Sequence, residues 1–197
     1  MRLLVGDIGG TKTALGLAET DGGAVRLGET RLYPSASFGS LDQIIQRYLL
    51  ETGAKCRFAV FAVAGPVHDQ RCETTNLPWV LDAEALEQSL GLTCVELIND
   101  LEAVAWGVPI LSSDDLAELH PGDPGNQGNA CVVAAGTGLG QAGLFWDGLR
   151  HHAFATEGGH SDFAPADDLE FALLSYLKSR FGRVSWERVV SGPGIVN

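Results

Sequence analysis

The chain opens with RLLVGDIGGTKTALGLAETDG, whose apolar positions fall into two short runs, residues 3–5 and 14–18, on either side of a Gly-Gly pair. That pattern predicts a strand, a glycine turn and a second strand. Residues 25–33 predict a third. Leu41, Ile44, Ile45, Tyr48 and Leu49 then recur at the three-and-four spacing of an amphipathic helix over residues 40–51. RFAVFAVAG is an almost continuously apolar run closed by Gly65 and Pro66, the pattern of a buried central strand. Asp82 is placed to cap a helix that runs through Leu90 and stops at Gly91. CVELIND predicts another strand with Asn99 and Asp100 at its C-terminal end, and LEAVAWG the helix after it.

HPGDPGNQGN, residues 120–129, is the most linker-like segment. Beyond it, ACVVAAGTGLGQAGLFWDG again predicts strand, glycine-rich turn, strand. DLEFALLSYLKSRFG predicts a helix with Asp167 or Asp168 near its cap and Gly182 just past its end, and Ser185 is placed to cap a shorter helix over residues 186–190. Each half thus begins with a glycine-turned hairpin, GDIGGTKTALGL and then AAGTGLGQAGLF. The expected organisation is two α/β lobes, residues 1–110 and 111–197.

Composition narrows the function. With 45% hydrophobic and 19% charged residues over 197 positions, the chain can bury a core without disulfides or metal. Thirteen Lys and Arg against 25 Asp and Glu give a formal charge of −12, and no Lys/Arg cluster stands out, which argues against nucleic acid as a partner. Cys56, Cys72, Cys94 and Cys131 are widely spaced with no C-x-x-C pair, so reduced thiols are expected. No basic-then-apolar leader and no 18-residue apolar run is present. The expectation is a cytoplasmic protein with no membrane partner.

The glycine turns are the first candidates for chemistry. Neither has the G-x-x-x-x-G-K-[ST] spacing of a Walker loop, and GDIGGT is followed by a strand where a dinucleotide fingerprint needs a helix. A glycine hairpin still presents backbone N–H groups to phosphate oxygens, with the hydroxyls of Thr11 and Thr13 as further donors. Asp7, between an apolar strand and the turn, suits a carboxylate that holds Mg²⁺ beside a polyphosphate; an ordinary tight turn is the competing reading. Asn99 and Asp100 read either as ligands or as a strand-to-helix cap. In ATEGGHSDFAP, residues 155–165, Glu157, His160 and Asp162 leave a metal site, a catalytic pair and a plain turn all open. Glu187 reads equally as an acid that favours the first turn of a helix.

GDIGGTKTALGLAE, LIND, AAGTGLGQA, EGGHSDFAP and ERVVSGPGIVN, taken in series along the chain, resemble the bacterial ATP-dependent glucokinases of the sugar kinase, actin and Hsp70-type ATPase superfamily. The resemblance implies an α/β, two-lobed actin-like (ribonuclease H-like) sugar kinase fold that closes over glucose with ATP in the cleft. It implies that Asn99 and Asp100 bind sugar hydroxyls and that Asp100 is the general base for the 6-hydroxyl. Glu157 and His160 would hold hydroxyls near the anomeric end, and Glu187 would complete the sugar site. Gly6, Asp7, Ile8, Gly9, Gly10 and Thr11, with Gly136, Thr137, Gly138 and Gly140, would cradle the phosphates of ATP, and Asp7 would hold Mg²⁺. Asp162 becomes a structural hydrogen-bonding residue.

The resemblance also implies a homodimer and a longer chain. The large lobe therefore reads as truncated at its C-terminus, and the 197 residues as a fragment or shortened gene product with weak or no kinase activity alone. Related ROK kinases carry a cysteine-rich zinc cluster after their glycine-histidine motif; no such cluster follows EGGH here, so the His151-His152 pair is not assigned to zinc. Lys12 stands where many family members have Asn. The alternatives are a kinase of the same fold for glucosamine, mannose or fructose, and a non-catalytic sugar-binding protein.

Overall fold

The structure, a computed structural model, describes every residue except Gly22, Gly23, Thr75, Asn76, Pro124 and Asn126. Part of the linker-like stretch at 120–129 accordingly lies outside the described residues. The chain divides into two compact units, Met1–Ala103 and Val104–Asn197.

In the first unit β1 (Arg2–Ile8) and β2 (Lys12–Asp21) form the antiparallel hairpin expected around the Gly-Gly pair. On its other side β1 pairs in parallel with β5 (Phe58–Val63), which pairs in parallel with β8 (Cys94–Asn99). Parallel neighbours need crossovers. Helix α1 (Leu41–Thr52) lies on the path from β1 and β2 to β5, and the hairpin of β6 (Arg71–Glu73) and β7 (Val80–Asp82), followed by α2 (Ala83–Leu90), lies on the path to β8. The apolar faces of these helices close the core: Ile44, Ile45 and Tyr48 of α1 and Leu86 of α2 are buried with Leu4, Ile8, Leu15, Phe61, Val63 and Leu97 of the sheet. The run FAVFAV is apolar at every position because β5 is the middle strand of the parallel trio.

The capping expectations at α2 hold. Asp82 accepts the Ala85 amide at 3.1 Å, and Gly91 ends the helix in a left-handed conformation, φ 65°, that a side chain would resist. The single strand expected over 25–33 is instead two, β3 (Ala24–Leu27) and β4 (Arg31–Pro34). Both pair with β2, β3 along residues 18–21 and β4 along residues 12–15. The break falls at Gly28, whose amide turns to the Leu17 carbonyl at 2.8 Å and takes the chain past Gly16, where no side chain blocks Leu27 and Thr30.

The second unit holds a three-stranded antiparallel sheet with β10 (Leu139–Trp146) between β9 (Ala130–Ala135) and β11 (His151–Thr156). β11 was not expected from HHAFAT, which lacks a clean alternation; its pairing to β10 supplies the order. After it come a 3-10 turn, Gly158–His160, and α4 (Asp168–Phe181), capped as expected by Asp167, which accepts the Glu170 amide at 2.9 Å. The helix expected over 186–190 is only a 3-10 turn, Trp186–Arg188, and Ser185 makes no side-chain cap bond. Two β-branched residues, Val189 and Val190, and then Gly192-Pro193 follow at once, so there is no sequence to propagate a helix. Phe163, Leu177 and Val184 form a small core with Trp186 against it. One face of the sheet carries Cys131, Val133, Phe145 and Phe154, all exposed.

Replacing Phe61, which is fully buried in β5, by Ala should cost about 3–5 kcal/mol of stability. Asp82→Ala should cost about 1 kcal/mol through the lost cap. Urea unfolding of both variants checks the order.

Candidate active site

The parallel register of β1, β5 and β8 sets the first group of candidates. Asp7 pairs with Ala62, and Val63 pairs with Asn99, so Asp7, Asn99 and Asp100 gather at the C-terminal end of the same three strands. Open α/β sheets bind ligands at that end. Asp7 keeps contact with solvent, yet partial burial pushes its carboxyl above the ordinary value, and the negative charge of Asp100 adds to the shift. Two carboxylates that repel each other in this way fit a divalent cation, which Mg²⁺ chemistry would complete with phosphate oxygens and water. Among the described residues no cluster of three or more His, Cys, Asp or Glu forms a self-sufficient metal site.

Asn99 is occupied in two directions. Its amide NH₂ donates to the Gly65 carbonyl at 3.1 Å, and its amide oxygen accepts from Leu101 and Glu102 at 3.0 and 3.2 Å. It therefore caps α3 (Asp100–Gly107), and the cap also holds Asp100 in place at the helix start. Asp100 is half-buried; one carboxylate oxygen accepts the Leu101 amide at 2.9 Å, and the other has no hydrogen bond among the described residues. A half-buried, rigidly mounted carboxylate with one free oxygen has the form of a general base.

The first glycine turn spans the end of β1 and the start of β2. Gly9 donates to the Lys12 carbonyl at 3.1 Å, and the amides of Gly10 and Thr11 donate to nothing among the described residues. Gly6 and Ile8 lie within β1: Ile8 is in the core, and a Cβ on Gly6 would stand 2.7 Å from Leu15 and 2.9 Å from Phe61. Thr13 is fully buried, its hydroxyl 3.0 Å from that of Ser35, so it supports the turn from beneath and faces no ligand. Ser35 also donates to the Gly9 carbonyl at 2.7 Å, and its own amide donates to the Thr11 carbonyl at 3.1 Å. The role of Ser35 was not visible in the sequence, where YPSAS carries no signal beyond a polar loop.

The second unit assembles Gly136, Thr137, Gly138 and Gly140 with Glu157, His160 and Glu187. The hairpin turn is held by Gly136 donating to the Gly138 carbonyl at 2.8 Å, and by Gly192 donating to the Gly136 carbonyl at 2.8 Å. The amides of Thr137 and Gly138 donate to nothing among the described residues, the arrangement that accepts an anion. His160 stands between two acids: Nε2 is 3.7 Å from Glu157 Oε2, and Nδ1 is 3.8 Å from Glu187 Oε1. Both gaps exceed hydrogen-bond length, and Glu157 and His160 are exposed. Hydroxyl groups, each donor and acceptor, suit such a polar slot. Arg183 fastens it, donating to Asp162 at 2.7 Å and to the His160 carbonyl at 2.9 Å. His151 and His152 are engaged elsewhere: His152 lies 2.6 Å from Asp147, and His151 lies 2.9 Å from the Gly128 carbonyl and packs on Trp146.

Comparison with known proteins gives a consistent result. The family model described as Glucokinase matches residues 4–197. A glucokinase of Nostoc punctiforme is 45% identical over 198 residues, covering 98% of this chain and 58% of that protein. The crystal structure of a glucokinase from an Antarctic psychrotroph superposes with a TM-score of 0.85 at 34% identity, covering 98% of this chain and 62% of the other. The glucokinase of Balamuthia mandrillaris, solved in complex with glucose, superposes at 0.72 with 25% identity over 99% of this chain and 60% of its own. The chain thus spans about three-fifths of the length of the proteins it matches. Its α/β mixed-sheet fold is that of sugar kinases in the actin and Hsp70-like ATPase superfamily. The chain belongs to the glucokinase family.

Proposed function

We propose that this chain carries the hexose-binding residues and two phosphate hairpins of a glucokinase, which transfers the γ-phosphoryl group of ATP to the 6-hydroxyl of glucose. The observation that carries the reading is the Asp7–Asp100 pair at the C-terminal end of β1 and β8, with the carboxyl of Asp7 raised by burial and by its neighbour. Asp100 takes the 6-hydroxyl proton as that oxygen bonds to phosphorus and the bond from phosphorus to the ADP oxygen breaks. Phosphoryl transfer needs little beyond such positioning and charge stabilisation. Asn99 holds Asp100 through the α3 cap and offers its remaining amide hydrogen to a sugar hydroxyl.

In the second unit, Glu157, His160 and Glu187 bind hexose hydroxyls. The free amides of Gly10, Thr11, Thr137 and Gly138 receive phosphate oxygens. Gly6 and Ile8 contribute by shaping the first turn from within the sheet, and Gly140 by following the turn into β10, where it pairs with Ala134. Asp7 would hold Mg²⁺, which would supply charge neutralisation on the phosphates.

In a full-length glucokinase of the family, the substitution corresponding to Asp100→Asn should lower glucose 6-phosphate formation by about 10²–10⁴-fold in a coupled assay, and in this chain Asp100→Asn should leave glucose affinity by calorimetry largely kept. Unchanged turnover removes Asp100 as the base.

The same variant has a pH signature. Because the carboxyl of Asp7 is raised in the folded state, its ionised form costs stability at pH above the raised value. That cost fades as pH falls through the folded value towards the ordinary one. Asp100→Asn should lower the Asp7 midpoint in a carboxyl-carbon NMR titration and reduce the cost; an unmoved midpoint contradicts the pairing.

A further inference from the structure

Glu187 makes contacts that hexose binding alone does not call for. Its Oε2 accepts the Leu139 amide at 3.0 Å, at the point where the second glycine turn enters β10, while Oε1 faces His160 Nδ1 at 3.8 Å. One half-buried carboxylate therefore touches the phosphate hairpin with one oxygen and the acid–imidazole slot with the other. The fit to the hairpin is tight. A Cβ on Gly138 would stand 2.5 Å from Oε2, so the carboxylate rests directly on the backbone of the turn.

The backbone on either side of Glu187 is tied to the same two places. Trp186 donates to the Ser161 carbonyl at 3.0 Å, one residue past His160, and the Trp186 ring meets Phe163 edge-on with centroids 4.9 Å apart. Five residues after Glu187, Gly192 donates to the Gly136 carbonyl. The turn that carries His160 is itself pressed onto β10, since a Cβ on Gly159 would fall 2.0 Å from the Leu139 carbonyl oxygen.

We infer that Glu187 is a positioning residue that couples the two subsites: a hexose hydroxyl drawn between Oε1 and His160 shifts the carboxylate, and Oε2 passes that shift to the Leu139 amide and the phosphate-binding turn. The inference rests on the hexose and phosphate assignments proposed above. By linkage the effect is reciprocal, so an anion on the turn presets the carboxylate for the hexose.

The test is a glucose titration of the ¹⁵N-labelled chain followed by NMR. The amides of Gly159 and Ser161 report the slot, and those of Gly138 and Leu139 report the hairpin. In the unaltered chain both pairs should shift with a common midpoint. Glu187→Asp, one methylene shorter, cannot reach both places, and Gly138→Ala drives the intact carboxylate off the turn. In both variants, at saturating glucose, the hairpin shifts should be lost while the slot amides still respond. Glu187→Gln keeps the length and an acceptor for Leu139, and should restore the hairpin response. Hairpin amides that stay still in the unaltered chain, or shift equally in Glu187→Asp and Gly138→Ala, overturn the coupling alone. Slot amides that ignore glucose in the unaltered chain overturn the hexose assignment itself.

Discussion

The placement of Asp7 and Asp100 at the C-terminal end of one sheet is a constraint that the rest of the first unit meets. Two carboxylates do not settle at one end of a sheet without structure that holds them there. Asp7 is fixed by a β1 that pairs on both sides, and Asp100 by the cap that Asn99 builds with Leu101 and Glu102. The helices on the crossover paths bury the apolar surface that keeps these strands in register, so the distant packing of Ile44, Tyr48 and Leu86 fixes the position of two charges. Burial, and after it the charge of Asp100, raises the Asp7 carboxyl, and a cation or a proton relieves that effect.

The second unit solves a different problem, that of bringing polar groups close without side chains in the way. Where the hairpin meets the Glu187 carboxylate and where the His160 turn meets β10, a single methyl group would collide with its neighbour. The glycines there are spacing elements more than flexible joints. They let backbone amides remain unpaired at the surface of the turn while the rest of the loop is fixed by Glu187, Gly192 and Arg183.

Much of this was legible in the sequence because it depends on local rules. The period of α1, the Asp82 and Gly91 boundaries of α2, and the uninterrupted apolar run of β5 each follow from the chemistry of a few neighbouring residues. The split of residues 25–33 into β3 and β4 was not, because it depends on how far β2 runs and on the space left beside Gly16. The segment at Trp186–Arg188 is a short turn where a helix was expected, because Val189, Val190 and Pro193 cannot propagate one. The candidate residues themselves were nameable as motifs. What joins them was not: Ser35, Arg183 and the second oxygen of Glu187 act across long stretches of chain, and periodicity carries no trace of such contacts.

The apolar strand β9 sits at the edge of its sheet among the described residues, and Val133, Phe145 and Phe154 lie open on one face. A free edge beside such a face is a template for adding another strand from any chain that meets it. Opposing this is the formal charge of −12, which makes two copies repel before their edges align. The colloidal behaviour of the protein is then governed by ionic strength: salt that shortens the reach of that repulsion to a few ångströms leaves the edge as the dominant feature when two molecules collide.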